Sequence, residues 1–254
     1  MRLSFLALLM AVWLSAGARP AGAAHRSAAT GTPIPTVGPL FFPSVVGIGP
    51  TLRFPHYCSA SVVDSPGADL VLTAAHCVYG TGLGIEFAPG YHDGVSPFGV
   101  WAVRRVYLDP AWLHGHDPQL DFAVLQLARH HGVGVEHATG SAPALGRAPA
   151  SGSSVTVAGY VAGSGGAPIR CTAPVYYTDG YPSFDCAGFA DGTSGGPWLA
   201  GGRLVGVIGG LYDGGCTPNT SYSAAFGADV AALLTRAEAG GPGDEALLPG
   251  ADGC

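Results

Sequence analysis

Thr73-Ala74-Ala75-His76-Cys77 and, well downstream, Asp191-Gly192-Thr193-Ser194-Gly195-Gly196-Pro197 are the stretches on which the reading of this chain turns. The first follows Leu70-Val71-Leu72, an apolar run suited to a buried strand, so His76 stands at a rigid strand end among small neighbours. The second surrounds one serine hydroxyl with glycines, which leaves the backbone N–H groups around it open to close approach. Between them Asp121 opens Phe122-Ala123-Val124-Leu125. An ionised acid at the entrance to such apolar surroundings is tolerable only if hydrogen-bonded, and a histidine N–H would supply the partner.

These residue types suit one chemistry. A serine hydroxyl is a poor nucleophile at neutral pH; it needs a histidine to take its proton and an acid to hold that histidine in the right tautomer. His76, Asp121 and Ser194 occur in that order. Asp117 is the rival acid, but it precedes a proline in the polar loop after His114-Gly115-His116, whereas Asp121 enters the strand directly. The N–H groups of Gly192 and Ser194 are assigned to an oxyanion hole, stabilising charge that develops only in the transition state.

Working outward, Arg2 precedes an apolar run from Leu3 to Leu14 that ends in small residues around Ala21-Gly22-Ala23-Ala24. This is the pattern of a secretory signal over residues 1–24, and the run is shorter than the about 20 apolar residues that span a bilayer. Residues 25–36 are small, polar and proline-rich and read as a linker or short pro-segment with little fixed structure. The 41 glycines and 21 prolines imply many turns joining short strands, so the class is all-β. Strands are predicted over 37–42, 58–63, 70–73, 85–88, 100–107 and 122–127, enough for one barrel within 37–135. A Gly-, Ala-, Pro- and His-rich connection over 128–152 precedes a second series over 154–159, 174–177, 197–200, 204–208 and 222–226. Val230, Leu233, Leu234 and Ala237 recur at helical spacing and predict a C-terminal helix over 228–239, closing a second unit over 136–239. The Gly-rich residues 240–254 read as a flexible tail.

Charged residues make up 11% of the chain, lysine is absent and the formal charge is -6, which excludes nucleic acid as a natural partner. No later segment is long and apolar enough for a membrane span, and a monomer is expected. The six cysteines suit an oxidising compartment. A Cys58–Cys77 bridge would tie the histidine's turn to a neighbouring strand, and Cys171 and Cys186 form a second local pair. Cys216 and Cys254 pair or remain free. His114, His116, His130, His131 and His137 match no closed metal site and read as solvated loops, so neither metal nor cofactor is expected. Asn219-Thr220-Ser221 matches a glycosylation acceptor.

Thr-Ala-Ala-His-Cys and Thr-Ser-Gly-Gly-Pro in one chain resemble the chymotrypsin/trypsin clan of serine endopeptidases, and secreted bacterial trypsin-like peptidases in particular. The resemblance covers about Val37 to Ala239. It implies two six-stranded antiparallel β-barrels with His76, Asp121 and Ser194 in the cleft between them, a protein or peptide substrate, and hydrolysis through an acyl-enzyme without a cofactor. Gly188, Phe189, Gly209, Gly210 and Leu211 fall where such proteins bind substrate. Four positions depart from the pattern. Thr193 replaces the aspartate that pairs with a newly cut N-terminus, so Val45-Val46-Gly47 reads as ordinary backbone and the fold is competent without that switch. Ala190 replaces a cysteine. Gly209 replaces a serine that supports the acid. Gly188 replaces the aspartate that selects Arg or Lys, which leaves small or apolar side chains as the expected specificity. A noncatalytic binding protein on the same fold is the alternative.

Overall fold

The computed structural model describes residues 26–42, 56–164, 166–217 and 219–247. The signal-like residues 1–24, Val45–Gly47 and Cys254 lie outside them. In chain order the strands are β1 (Ala29–Thr30), β2 (Val37–Phe41), β3 (His56–Val62), β4 (Leu70–Thr73), β5 (Glu86–Phe87), β6 (Trp101–Leu108) and β7 (Ala123–Leu127). Then come β8 (Ala144–Leu145), β9 (Ser154–Gly159), β10 (Ile169–Pro174), β11 (Tyr176–Thr178), β12 (Tyr181–Asp185), β13 (Pro197–Ala200), β14 (Arg203–Val207) and β15 (Thr220–Tyr222). Helices α1 (Pro110–Gly115) and α2 (Val135–Thr139) flank β7, and α3 (Ala228–Glu238) follows the last strand.

β2-β3-β4-β7-β6-β5 close into a barrel. Its interior follows from strand alternation, in which successive side chains face opposite sides. Val71 on β4 and Ala123, Leu125 and Leu127 on β7 point into the barrel with Leu40, Val62, Phe87 and Trp101. Leu70 and Leu72 with Val124 point outward into a second layer, where Phe122, Leu204, Val207 and the buried face of α3 meet them. Both faces of β4 are therefore covered, which is why Leu70-Val71-Leu72 is apolar without alternation. On α3, Val230, Leu233, Leu234 and Ala237 form that buried face.

The C-terminal half consists of a six-stranded sheet, β1-β10-β9-β13-β14-β8, and a three-stranded sheet, β11-β12-β15. They enclose Val155, Val157, Phe184, Phe189, Trp198 and Ile208. The Gly209 N–H, just beyond β14, donates to the Tyr222 carbonyl at 3.0 Å and draws the two sheets together. Cys171 on β10 is bridged to Cys186 beside β12, with Cα atoms 6.6 Å apart. Cys216 is also disulfide-bonded. Among the described residues no helix is long and apolar enough to cross a membrane.

Two expectations are overturned. Residues 26–36 have fixed structure: β1 pairs antiparallel with β10, and the Ala28 N–H donates to Ala187 O at 2.7 Å while the Ala187 N–H donates to Arg26 O at 2.9 Å. The start of the tail is also fixed. Ala246 exchanges hydrogen bonds with Gly80, the Asp244 N–H donates to Val106 O at 2.8 Å, and Ala246 is buried. Both segments are held by backbone hydrogen bonds, which leave no compositional trace, together with a few small apolar contacts such as Ala246.

Candidate active site

His76 lies in a single 3-10 turn, Ala75–Cys77, directly after β4. The turn is anchored from β3, because Cys77 is bridged to Cys58 with Cα atoms 6.1 Å apart and the Tyr57 hydroxyl donates to Cys77 O at 3.0 Å. Asp121 ends another short turn, Pro118–Leu120, whose first N–H groups are capped by the Asp117 side chain, accepting from Gln119 N at 2.9 Å. Asp117 is thus a cap, and Asp121 is delivered, fully buried, to the strand entrance.

The structure brings His76 and Asp121 together. Oδ2 of Asp121 meets Nδ1 of His76 at 2.8 Å, and Oδ1 accepts the His76 backbone N–H at 2.9 Å. A third donor, the Gly210 N–H, reaches Oδ2 at 2.7 Å. Burial pushes the Asp121 carboxyl up, but the facing imidazole charge and these hydrogen bonds outweigh it and hold the group below its ordinary 3.8. A Cβ on Gly209 would stand 2.7 Å from Oδ2 and 3.2 Å from the Ala74 Cβ. No serine fits there without displacement, and the next backbone N–H supports the acid instead.

Ser194 sits in a tight turn that demands glycine. Gly192 has φ +91 and a Cβ there would lie 2.5 Å from Ala162 N; Gly195 has φ +76 and would press a Cβ to 2.1 Å from Thr73 Oγ1. The N–H groups of Thr193, Gly195 and Gly196 are spent on Ala190 O, Ile208 O and Thr193 O. Among the described residues those of Gly192 and Ser194 have no acceptor. Thr193 is buried, and its hydroxyl donates to Ala190 O at 2.7 Å, so its polar group is satisfied within the turn.

Ser59, on β3 of the first barrel, braces this turn from across the interface. Its N–H donates to Ser194 O at 2.7 Å, and its hydroxyl donates to Gly192 O at 2.8 Å while accepting from Tyr160 N at 2.9 Å. Thr73 Oγ1 in turn donates to Ser59 O at 2.8 Å.

Ser194 and His76 line one cavity of about 210 Å³ with Phe189, Asp191, Asp213 and Ser221. Among the described residues no hydrogen bond joins the Ser194 and His76 side chains; such contacts are commonly long in unliganded sites and tighten with substrate. Of the other positions singled out in the sequence, Gly188 abuts Ala28, where a Cβ would be at 3.5 Å. Gly209 and Gly210 lie against Asp121, and Leu211 begins the turn Leu211–Gly214. Asp185 accepts from the Tyr176 and Thr220 hydroxyls.

That turn carries a second acid toward the imidazole. Asp213 Oδ1 is 3.9 Å from His76 Nδ1. Tyr212 and Asp213 both adopt left-handed backbone, φ 52 and 50, at a cost of about 1–2 kcal/mol each for residues with a Cβ. Nδ1, Asp121 Oδ2 and Asp213 Oδ1 lie within 4.8 Å of one another, spacing that a cation could bridge. The 2.8 Å contact with Asp121, however, uses the Nδ1 position for a proton rather than for a metal. Ser59 and Asp213 are the site residues that sequence reasoning did not assign, and Gly210, expected on the substrate side, also donates its N–H to Asp121. Of the two unassigned, only Asp213 left a signal, an acid inside a glycine-rich turn.

The trypsin-like peptidase domain family matches residues 58–207. No curated protein sequence matches the chain. Among solved structures, the protease Anisep from Arthrobacter nicotinovorans superposes with a TM-score of 0.68 at 24% identity, covering 83% of this chain and 98% of that one. The thermostable serine protease AL20, from an extremophilic microorganism, gives 0.68 at 26%, covering 82% and 99%. Human heparin binding protein gives 0.61 at 18%, covering 86% and 99%.

Proposed function

Because the chain belongs to the trypsin-like peptidase domain family, we propose that it is a secreted serine endopeptidase in which Ser194 is the nucleophile, His76 the general base and then acid, and Asp121 the group that orients His76. The observation that carries this reading is the doubly hydrogen-bonded His76–Asp121 pair opening onto the same cavity as Ser194. With its Nδ1 proton held by Asp121, the imidazole has Nε2 as its basic nitrogen. Nε2 takes the proton of Ser194 as Oγ attacks the substrate carbonyl. The developing oxyanion is met by the uncommitted N–H groups of Gly192 and Ser194. Collapse releases the amine fragment with the proton from His76, and water then hydrolyses the acyl-enzyme by the same route. Phe189 in the cavity wall supports a preference for small or apolar side chains before the scissile bond. The disulfides and the signal-like residues 1–24 support export.

Ser194→Ala is expected to lower peptide hydrolysis by about 10⁶-fold. Retention of activity within a few-fold of the parent would sink the assignment. The alternative, a noncatalytic binding protein, draws on the likeness to heparin binding protein, which at 18% identity concerns the fold alone. Covalent labelling of Ser194 by a fluorophosphonate separates the two, since a binding module has no activated serine.

A further inference from the structure

Two carboxylates, not one, converge on His76. Asp121 is fully buried and hydrogen-bonded to the ring. Asp213 approaches the same Nδ1 from the Leu211–Gly214 turn, with its side chain 30% exposed. The turn adopts left-handed backbone at two successive non-glycine residues, Tyr212 and Asp213, followed by positive φ at Gly214 and Gly215. Strain held in a cleft is a reason to ask what it positions. Here it positions an anion. Tyr79, three residues beyond His76, reports the same charge: burial raises its hydroxyl pKa first, and the Asp213 carboxylate raises it further.

We propose that Asp213 is a positioning residue that acts through His76, stabilising the imidazolium alongside Asp121. The inference rests on the reading of His76 as general base. Among the described residues, the groups facing the ring are Asp121 from the turn before β7, Asp213 from the Leu211–Gly214 turn, Asp191, Thr193 and Ser194 across the cavity, and Tyr79 and Tyr57 beside its own turn. Neutral His76 takes the serine proton, so an added anion moves the acid limb of the pH–rate profile to higher pH. It also favours the imidazolium that forms during attack. Because Asp213 is partly exposed and Asp121 is not, its influence is the salt-sensitive one.

The test is an NMR titration of the His76 ring in the full exported chain, with Asp213→Asn and Asp213→Gly. Both replacements tolerate left-handed backbone, so each removes the charge without opposing the turn. The ring's protonation midpoint is expected to fall by about half to one pH unit in both variants, with the difference shrinking toward 1 M salt. The acid limb of kcat/KM should move down with it, while Asp213→Glu should retain most of the parent value. A midpoint unchanged in both neutral variants overturns the proposal even where fluorophosphonate labels Ser194. Failure of that labelling in the parent would instead sink the catalytic reading, because the ring titration reports Asp213 whether or not turnover occurs.

Discussion

A Cβ at position 209 would stand 2.7 Å from the carboxylate oxygen that also receives the Gly210 N–H and the His76 ring. The acid is therefore held by a backbone donor that depends on a missing side chain. Gly209→Ser, which restores the residue expected from the resemblance, should displace Asp121 rather than support it. We expect a loss of about 1–3 kcal/mol in stability, from overpacking, and about 10²-fold in turnover. Thermal unfolding and steady-state kinetics on one preparation check this, and a variant neutral in both would show that the site relaxes freely. Position 209 also marks what was legible at this scale. Side chains with rare chemistry in a suggestive order, His76 and Asp121 among them, could be picked out, and they do meet. Backbone donors such as Gly210 N–H carry no sequence signature. A serine such as Ser59, one among many in the chain, is distinguished only by the loop that lands on it.

Among the elements, those covered on both faces or on a regular stripe were the readable ones. β4, β7 and α3 follow from runs and spacings of apolar residues. β10 and β12 did not, because Arg170, Thr172, Pro174 and Pro182 interrupt the pattern that marks a strand. The two-residue strands β1 and β8 are specified by the edges they join. The segment after α3 is the most consequential of these unread pieces. Asp244 accepts the Leu108 N–H at 2.7 Å and pairs with Arg236, whose guanidinium also stacks over Tyr107 at 5.4 Å. Asp244→Ala leaves that N–H without its acceptor and Arg236 without its acid. A loss of about 1–3 kcal/mol is expected by chemical denaturation. A variant as stable as the parent would mean that the segment only rests on the barrel.

For the molecule as a whole, acid is the expected weak direction. His56 is buried against Phe41 and Tyr160, its Nδ1 has no partner among the described residues, and burial pushes its pKa below 6.5. The unfolded chain then binds the proton more readily, so this contribution is intact above pH 6.5 and is lost as pH falls toward the lower folded value. Asp121, also depressed, adds a second loss only as pH drops below 3.8. The stability of His56→Leu relative to the parent should accordingly rise on acidification from pH 6.5, as measured by denaturation at several pH values. A difference independent of pH would rule out His56 as the source. The two terminal segments have a larger consequence. Residues 26–31 precede the first barrel in sequence yet complete a sheet of the second half, and residues 241–246 follow the second half yet finish the seam of the first. As the chain leaves the ribosome, the early segment waits for β10 and Ala187, and the edge of β6 waits for Asp244. The second half is completed by residues made before the first barrel, and the first by residues made after the second half, so each half is closed by the opposite end of the chain.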